Sequence, residues 1–264
     1  MSGNGKTILI TGAAKRVGRH LALGLAQRGY DIGFTYRTSH QQAASLTQAI
    51  EGLGRKALAI PADFLDADAA QHVHRTFFDS FETIHGLINN GSCFYPTPLK
   101  TLSRRALIDQ FTINAALPAE LCSLFASALA KSHCEPASSD SSDRPAPPAL
   151  CTPGRIINFV DINIFGQPLP HHLAYNASKA ALWEITQSLA IELAPRVTVN
   201  AIAPGVIDWA ESYSEQAKAS YLKRVPLGRV GTAEDALSAA AYLLDQGHYL
   251  TGQAIKLDGG RSIT

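Results

Sequence analysis

Tyr175 and Lys179 could do acid chemistry because of their residue types and their spacing. They stand four positions apart within Leu173–Leu182, so on a helix both side chains would lie on one face. An ammonium group beside a phenol stabilises the phenolate, which predicts that Lys179 lowers the pKa of Tyr175 from about 10 towards neutrality. Such a phenol can hand a proton to a substrate near neutral pH. The alternative is a half-buried tyrosine and a solvated lysine on an ordinary amphipathic helix.

A second candidate site lies near the start of the chain. Thr7–Ile10 is a short apolar run typical of a buried parallel strand, and it leads into the small-residue turn Thr11–Gly18 and then leucines at helical spacing. Strand, turn and helix in this order aim backbone N–H groups and a helix dipole at a phosphate. Gly12 allows a tight turn, and Gly18 lets the helix approach the strand closely. The turn therefore predicts a nucleotide-binding site.

The elements that must position these residues alternate along the chain. Further strands are predicted at Asp31–Tyr36, Lys56–Ala62, Gly86–Asn90, Arg155–Val160, Arg196–Ile202 and Gln253–Leu257, with helical patterns between them. Such alternation implies right-handed crossovers and a parallel sheet. We predict an α/β fold: a single doubly wound Rossmann domain over residues 1–264, with a seven-stranded parallel sheet flanked by helices. The segment Ser132–Gly154, rich in Pro, Ser and Asp, is predicted to be a flexible surface loop.

Length and composition exclude several classes of protein. With 264 residues and 46% hydrophobic content, the chain can bury a large core within one domain. A net charge of +1 provides no basic field for nucleic acid. The sequence shows no apolar signal region and no apolar stretch of membrane-spanning length, so no membrane partner is expected. The four cysteines form no Cys-x-x-Cys pair, which predicts reduced thiols in a cytoplasmic protein and no metal site.

Several stretches resemble one known superfamily. The turn reads Thr-Gly-Ala-Ala-Lys-Arg-Val-Gly, with Arg16 where most of the superfamily has glycine, and Asn89–Leu99 resembles a stretch typical of pteridine reductases. Phe159-Val160-Asp161 carries aspartate where carbonyl-reducing relatives usually have serine, and Leu257–Arg261 also matches. The chain thus resembles the short-chain dehydrogenases/reductases from end to end. Within them it resembles the pteridine reductases and the related bacterial dihydromonapterin and dihydrofolate reductases.

The resemblance implies an activity and an assembly. It implies an NADPH-dependent reductase that transfers a hydride to a C=N bond of a dihydropterin (dihydrobiopterin, dihydromonapterin or dihydrofolate) and yields the tetrahydro form. It also implies a homotetramer built on the helices around residues 104–130 and 174–193. One alternative is a carbonyl or 3-oxoacyl reductase of the same superfamily. Another is a catalytically inactive, nucleotide-sensing protein.

The cofactor site is predicted on the glycine turn and on the ends of the strands. The second strand ends in Tyr36-Arg37-Thr38-Ser39, which offers a guanidinium and hydroxyls to a 2′-phosphate and no carboxylate to repel it. This favours NADPH over NADH, although an exposed arginine in a polar turn would look the same. The predicted cofactor-binding residues are Gly12, Arg16, Val17, Gly18, Tyr36, Arg37, Thr38, Ser39, Asp63, Phe64, Asn90, Gly91, Tyr175, Lys179, Pro204 and Gly205.

The resemblance assigns catalysis and substrate binding to overlapping sets of residues. The predicted catalytic residues are Asp161, Tyr175, Lys179 and Asn114. Asn114 would hold a water for a proton relay, unless it is a mid-helix asparagine that is satisfied locally. The predicted substrate-binding residues are Arg16, Ser92, Phe94, Asp161 and Tyr175. Phe94 would stack on the flat pterin ring, unless it is a core aromatic, and residues 207–225 are predicted to form a substrate lid.

Asp161 distinguishes the two substrate classes on chemical grounds. Reduction of a C=N bond needs a proton on nitrogen, which a carboxylate and Tyr175 can relay together. A ketone reductase needs a neutral hydroxyl that hydrogen-bonds a developing alkoxide, and an ionised carboxylate would repel that alkoxide. Asp161 therefore favours the pterin. It stands fourteen residues before Tyr175, one more than in the relatives, so a strand-end cap is the alternative.

Overall fold

The predicted strands form one parallel sheet. The computed structural model describes residues 5–131, 154–209 and 214–264. Its strands are β1 Thr7–Ile10, β2 Asp31–Tyr36, β3 Ala57–Pro61, β4 Gly86–Asn89, β5 Gly154–Phe159, β6 Val197–Pro204 and β7 Ala254–Leu257. They lie side by side in the order β3-β2-β1-β4-β5-β6-β7, and every neighbouring pair is parallel. The predicted seven-stranded Rossmann-like α/β fold is confirmed.

Helices cover both faces of this sheet. Within the described ranges they are α1 Arg16–Gln27, α2 His40–Glu51, α3 Ala69–Phe78, α4 Arg104–Phe111, α5 Leu117–Lys131, α6 Leu173–Glu192, α7 Glu215–Leu222 and α8 Ala233–Asp245. The π-helical segment Thr112–Ala116 joins α4 to α5 without a break. Short 3-10 turns span Leu99–Thr101, Ile162–Ile164 and Arg261–Ile263.

The position of strand β1 in the sheet explains why its residues form an uninterrupted apolar run. Successive side chains of a strand point to opposite faces of the sheet. Ile8 and Ile10 accordingly pack with α1, α2 and α8 in one core layer, whereas Leu9 packs with α3 and α5 in the other. A strand that is buried on both faces needs an apolar residue at every position.

The strand order determines where a ligand can bind. β1 lies between β2 and β4, so the order of the strands reverses at the boundary between β1 and β4. In open parallel sheets the crevice outside the carboxyl ends of the strands at such a switch point is the usual ligand site. The turn after β1 and the segment after β4 both lie at this crevice, as the sequence predicts.

Some predicted boundaries need correction. Pro204 is the last residue of β6 instead of lying in the following loop, and Gly154 is the first residue of β5 instead of the end of a loop. The rest of the predicted loop, residues 132–153, lies outside the described residues, as do Cys134 and Cys151. Cys93 and Cys122, which the structure describes, are free thiols.

One helix corrects the expectation that the chain has no apolar stretch of membrane-spanning length. Among the described residues, the continuous helix Arg104–Lys131 is long and apolar enough to cross a membrane by length and composition alone. The core helix of a soluble protein passes the same test. Here Leu121, Phe125 and Leu129 are fully buried in the core layer that also contains α3.

Candidate active site

The glycine turn after β1 packs directly against the segment after β4. Gly12 has φ +66°, a conformation that favours glycine, and a Cβ there would lie 2.7 Å from the Cα of Gly91. A Cβ on Gly18 would lie 2.6 Å from the carbonyl oxygen of Gly12. Neither position has room for a side chain, so the helix start, the turn and the segment after β4 form one compact cradle.

Hydrogen bonds lock this cradle. The Thr11 hydroxyl accepts from the backbone N–H groups of Asn90, at 3.0 Å, and Gly91, at 2.8 Å. The Asn90 side-chain amide donates to the carbonyl of Thr11 at 2.9 Å and to that of Gly12 at 3.2 Å. The amide of Asn90 is therefore used to hold the turn, and the sequence did not single out Thr11 as its partner.

Arg16 has an unusual backbone. Its φ is +52°, in the left-handed region that non-glycine residues rarely adopt. A glycine would adopt this conformation without strain, whereas an arginine does so at a cost. The side chain lines a cavity together with Asp161 and Tyr175. An arginine held in this conformation beside a cavity suggests a functional role for its side chain.

Half of the predicted cofactor residues line one cavity of about 400 Å³ at the carboxyl ends of β1, β2 and β3. The predicted residues in its wall are Gly12, Tyr36, Arg37, Thr38, Ser39, Asp63, Phe64 and Gly91. Arg16, Tyr175 and Gly205 line a second cavity instead. Val17, Gly18, Asn90, Lys179 and Pro204 line neither, and Val17 packs against the core. The Arg37 side chain is exposed, and it forms no hydrogen bond or ion pair with residues that the structure describes.

Asp161 and Tyr175 are in direct contact. The Tyr175 hydroxyl donates to Asp161 Oδ2 at 2.7 Å, and Asp161 Oδ1 accepts from the backbone N–H of Asn163 at 2.8 Å. Asp161 follows β5 and caps the 3-10 turn Ile162–Ile164, while Tyr175 lies in the first turn of α6. Asp161 therefore has both roles that the sequence allowed: it caps the turn after the strand, and it is the hydrogen-bond partner of Tyr175. The spacing between the two residues, one longer than in the relatives, does not prevent this contact.

The predicted direction of the Tyr175 pKa shift is wrong. Burial, and then the charge and hydrogen bond of Asp161, raise the pKa of Tyr175 well above 10. The Lys179 ammonium instead donates to the carbonyl oxygen of Phe159 at 2.6 Å and lies 6.0 Å from the centroid of the Tyr175 ring. Burial lowers the pKa of Lys179 to about 8 and raises that of Asp161. The phenol faces a carboxylate more closely than an ammonium, so its proton is held more tightly than in water.

Asn114 is fully buried in the π-helical segment. Its amide donates to the Ser178 hydroxyl and the Cys93 carbonyl, both at 3.0 Å. Its carbonyl accepts from the Cys93 N–H at 2.8 Å and from the Ser92 hydroxyl at 3.0 Å. The Asn114 side chain therefore has all its hydrogen-bond partners within the protein, as the alternative interpretation expects. Even so, π-helical turns occur often at functional sites. That Asn114 holds a water stays a prediction.

Phe94 is not a core residue. Its side chain is 52% exposed and lies between the two cavities, lining both. The ring stacks on the imidazole of His172, with 4.6 Å between centroids and 11° between planes, and meets the Tyr175 ring edge-on at 4.8 Å. His172 lies just before α6 and has no signal in the sequence beyond its closeness to Tyr175.

The second cavity, of about 500 Å³, holds the reactive groups. Of the predicted substrate residues, Arg16, Phe94, Asp161 and Tyr175 line it. Ser92 lines the first cavity instead, and its hydroxyl donates to Asn114, so it does not join them. The sequence did not predict Asn163, Gln167 and Arg261 as wall residues, whereas Arg224, also in the wall, lies within the predicted lid.

The predicted lid contributes helix α7 to this wall. Ala217, Ser220 and Tyr221 line the second cavity, and the Tyr221 hydroxyl accepts from the Val206 N–H at 3.0 Å. Trp209 meets the Tyr221 ring edge-on at 5.5 Å. Residues 210–213 of the predicted lid, which include Tyr213, lie outside the described residues.

Family models and relatives cover nearly the whole chain. The model described as short chain dehydrogenase matches residues 6–134, and the one described as enoyl-(acyl carrier protein) reductase matches residues 144–262. The 3beta-hydroxysteroid dehydrogenase 1 of Eggerthella lenta is 31% identical over 265 residues, which cover 98% of this chain and 94% of the relative. The chain belongs to the short-chain dehydrogenase/reductase superfamily.

Further members of the superfamily agree in length and fold. The 3-oxoacyl-(acyl-carrier-protein) reductase FabG of Staphylococcus aureus is 30% identical, covering 97% of both chains. The crystal structure of acetoin dehydrogenase from Enterobacter cloacae is 27% identical with a TM-score of 0.81, covering 100% of this chain and 96% of that one.

Membership of the short-chain dehydrogenases/reductases determines the chemistry at a coarse level. The chain is an oxidoreductase of a family that uses nicotinamide cofactors and small-molecule substrates. The names of these relatives do not support pteridine reduction, and they fit the carbonyl-reductase alternative better.

Proposed function

We propose that this short-chain dehydrogenase/reductase reduces a C=N bond in a flat heteroaromatic ring, a dihydropterin such as dihydrobiopterin, dihydromonapterin or dihydrofolate, and that it uses NADPH. The observation that carries the proposal is the 2.7 Å hydrogen bond from the Tyr175 hydroxyl to the Asp161 carboxylate. The names of the relatives favour a carbonyl substrate, so the case for C=N reduction depends on this pair.

The proton chemistry of the pair suits a ring nitrogen. Reduction of C=N adds a hydride to carbon and a proton to nitrogen, and NADPH supplies the hydride when bound. Burial raises the pKa of Asp161, and Tyr175 retains its own proton to high pH. Because the Asp161 carboxyl can be protonated, it can replace the proton that the Tyr175 hydroxyl gives to the ring nitrogen, and Asp161 then regains a proton from solvent.

The remaining side chains position the ring and balance charge. Phe94 is half exposed between the two cavities, so a flat ring can pack on it at an offset or edge-on geometry. With a pKa of about 8, Lys179 remains mostly protonated near neutral pH, and its charge offsets that of Asp161 in a buried site.

The cradle and the first cavity fit a dinucleotide phosphate. Gly12 and Gly91 leave no space between their backbones, and they form the wall of the cavity that extends to Arg37. Arg37, Thr38 and Ser39 supply donors suited to a 2′-phosphate, and the Arg37 guanidinium has no competing partner among the described residues. Residues of the Gly12–Gly18 turn would hold the pyrophosphate through backbone N–H groups.

We expect NADPH to be favoured over NADH by at least about tenfold, or 1.4 kcal/mol. Arg37→Ala should remove most of that preference by weakening NADPH binding, while NADH binding changes little because it has no 2′-phosphate. The control is Arg104→Ala, which removes an exposed arginine from the start of α4 and should change neither dissociation constant. Both constants can be measured by fluorescence titration. Equal affinity of the wild type for the two cofactors would contradict this assignment.

Carbonyl reduction is the second candidate, supported by the relatives' names and by one feature of the site. Burial raises the pKa of Asp161, and a protonated carboxyl can donate a hydrogen bond to a developing alkoxide, as a serine hydroxyl would. Steady-state NADPH oxidation with dihydropterins, dihydrofolate, simple ketones and a 3-oxoacyl thioester separates the two candidates. Turnover confined to the ketone or thioester would overturn the pterin proposal.

The proposed enzyme is a homotetramer of the kind that the resemblance implies. Ile108 and Phe111 on α4 are about half exposed, and Ile191 on α6 is more so, which leaves apolar surface on both expected interface helices. Leu182, also on α6, is by contrast buried in the core. Tetramer formation and a cytoplasmic location stay predictions.

A further inference from the structure

Two arginines that the proposed reaction does not use lie in the wall of the substrate cavity. Arg224 follows α7, and Arg261 begins the last 3-10 turn, so the two come from distant parts of the chain. Both line the cavity that also contains Asp161 and Tyr175. A neutral pterin ring has no charge that would require them.

Arg261 is buried, and no carboxylate among the residues that the structure describes forms an ion pair with it. Its side chain is only 7% exposed, and its Nε is a buried donor that has no hydrogen-bond acceptor in the described parts of the chain. Nη1 donates to the side-chain oxygen of Gln167, a neutral group, and the guanidinium lies 5.6 Å from the centroid of the Tyr221 ring. A buried guanidinium with an unsatisfied N–H is costly unless an acceptor completes it.

Arg224 adds a second charge beside the first. Its side chain is exposed at the cavity wall and forms no hydrogen bond or ion pair with the described residues. Burial lowers the pKa of Arg261, and the charge of Arg224 lowers it further, so the two guanidinium groups are close enough to repel each other. Two guanidinium groups that repel each other beside a cavity are complementary to an anion.

The carboxylates around the pair are engaged elsewhere or lie outside ion-pair distance. Asp258 accepts from the backbone N–H groups of Gly260 and Ser262, and so caps the turn that carries Arg261. Asp161 accepts from Tyr175, and Asp208 lines the same cavity. Within the described ranges, no carboxylate forms an ion pair with either arginine. The lining therefore has one more positive than negative group, counting Arg16, Arg224 and Arg261 against Asp161 and Asp208.

We propose that Arg224 and Arg261 form an anion subsite that binds the carboxylate or phosphate tail of the substrate, while the reducible group lies at Tyr175 and Asp161. This inference rests on the proposed function only in placing the substrate in this cavity. It narrows the substrate class from any dihydropterin to one with an anionic tail. Such a tail has two sources: the glutamate of a folate, or the phosphate of a phosphopantetheine thioester if the substrate is a carbonyl compound.

The test measures the binding of tails without reducible groups, so it does not depend on turnover. Titration calorimetry of the NADP⁺-loaded enzyme uses p-aminobenzoylglutamate in one arm and 4′-phosphopantetheine in the other. We expect one of them to bind, and to bind at least about tenfold more weakly in Arg224→Gln and in Arg261→Gln. Lys223→Gln, which removes the neighbouring charge from a residue outside the cavity wall, should leave the affinity unchanged.

The outcomes separate this proposal from the proposed function. Binding of the glutamate probe supports a folate, whereas binding of the phosphate probe alone supports the subsite and counts against pterin reduction. If Arg261→Gln does not fold, the exposed Arg224→Gln and the charge-retaining Arg261→Lys decide the matter. The subsite is refuted if neither probe binds the wild type at millimolar concentration, or if Lys223→Gln weakens binding as much as Arg224→Gln.

Discussion

Tyr175→Phe should lower turnover of the reducible substrate by about 10²-fold or more, because it removes one hydroxyl and its proton from the relay. That hydroxyl lies 2.7 Å from Asp161 Oδ2, so the substitution also leaves the buried carboxylate without its partner. The phenyl ring can keep its edge-on contact with Phe94, since that contact does not involve the hydroxyl. Binding of NADPH should therefore survive. The rate comes from steady-state assays and the cofactor affinity from fluorescence titration.

The matched control is Tyr242→Phe, which removes a hydroxyl from a half-exposed tyrosine on α8 outside both cavities. It should retain the wild-type rate. A Tyr175→Phe enzyme with a near-normal rate would mean that the proton comes from another group in the cavity. Loss of NADPH binding in Tyr175→Phe would instead indicate a structural role.

Asp161→Ala should cause a comparable loss, about 10²-fold or more in dihydropterin turnover, because the ring nitrogen then lacks the carboxyl half of the relay. Asp161→Asn keeps the size of the side chain but cannot ionise, and it should be similarly slow. Burial raises the pKa of Asp161 above that of a solvated aspartate, so its protonated form persists to higher pH and is lost as the pH rises through the raised value. The wild-type rate should accordingly fall with rising pH, and this falling limb of the pH–rate profile should reflect the loss of one proton, that of Asp161.

That limb should be absent from the residual activity of Asp161→Asn, which distinguishes proton donation from mere positioning of Tyr175. Asp161→Ser provides the second comparison, because a hydroxyl can hydrogen-bond an alkoxide but cannot relay a proton as a carboxylate does. It should fail to restore dihydropterin turnover fully and could admit weak ketone reduction. A wild-type dihydropterin rate in Asp161→Ala would falsify the catalytic role of Asp161 and favour the carbonyl candidate.

The fold could be predicted from the sequence because it depends on repeated local signals. Apolar runs such as Thr7–Ile10 are required wherever helices cover both faces of a strand, and the patterns between them allow only a parallel arrangement. The glycine turn after β1 could also be recognised from the sequence. The conformation of Gly12 and the close backbone approach at Gly18 each require a residue without a side chain. The strand boundaries at Gly154 and Pro204 were predicted incorrectly. Each of these residues pairs with a residue of the neighbouring strand, and this pairing, which the sequence does not show, determines where a strand begins or ends.

The site was predictable in its members but not in its electrostatics. The sequence placed Tyr175, Lys179 and Asp161 together, yet the expected direction of the Tyr175 pKa was wrong. A spacing of four on a helix indicates which side chains share a face, but it does not measure burial or the distance to a carboxylate that follows another strand. Likewise, Ser92 faces the first cavity because the π-helical segment brings Asn114 to its hydroxyl.

By itself, the sequence determined the strands, the glycine cradle and the identity of most residues that line the first cavity, since these follow from local periodicity and motif. Only the tertiary structure decided that Asp161 reaches Tyr175, that Phe94 lies exposed between the cavities against His172, and that Arg224 and Arg261 share a wall. These contacts join residues from different elements, and their distances and burial depend on how the elements pack. Electrostatic interactions depend strongly on distance and burial, so only the packed structure shows in which direction the pKa of a buried group shifts.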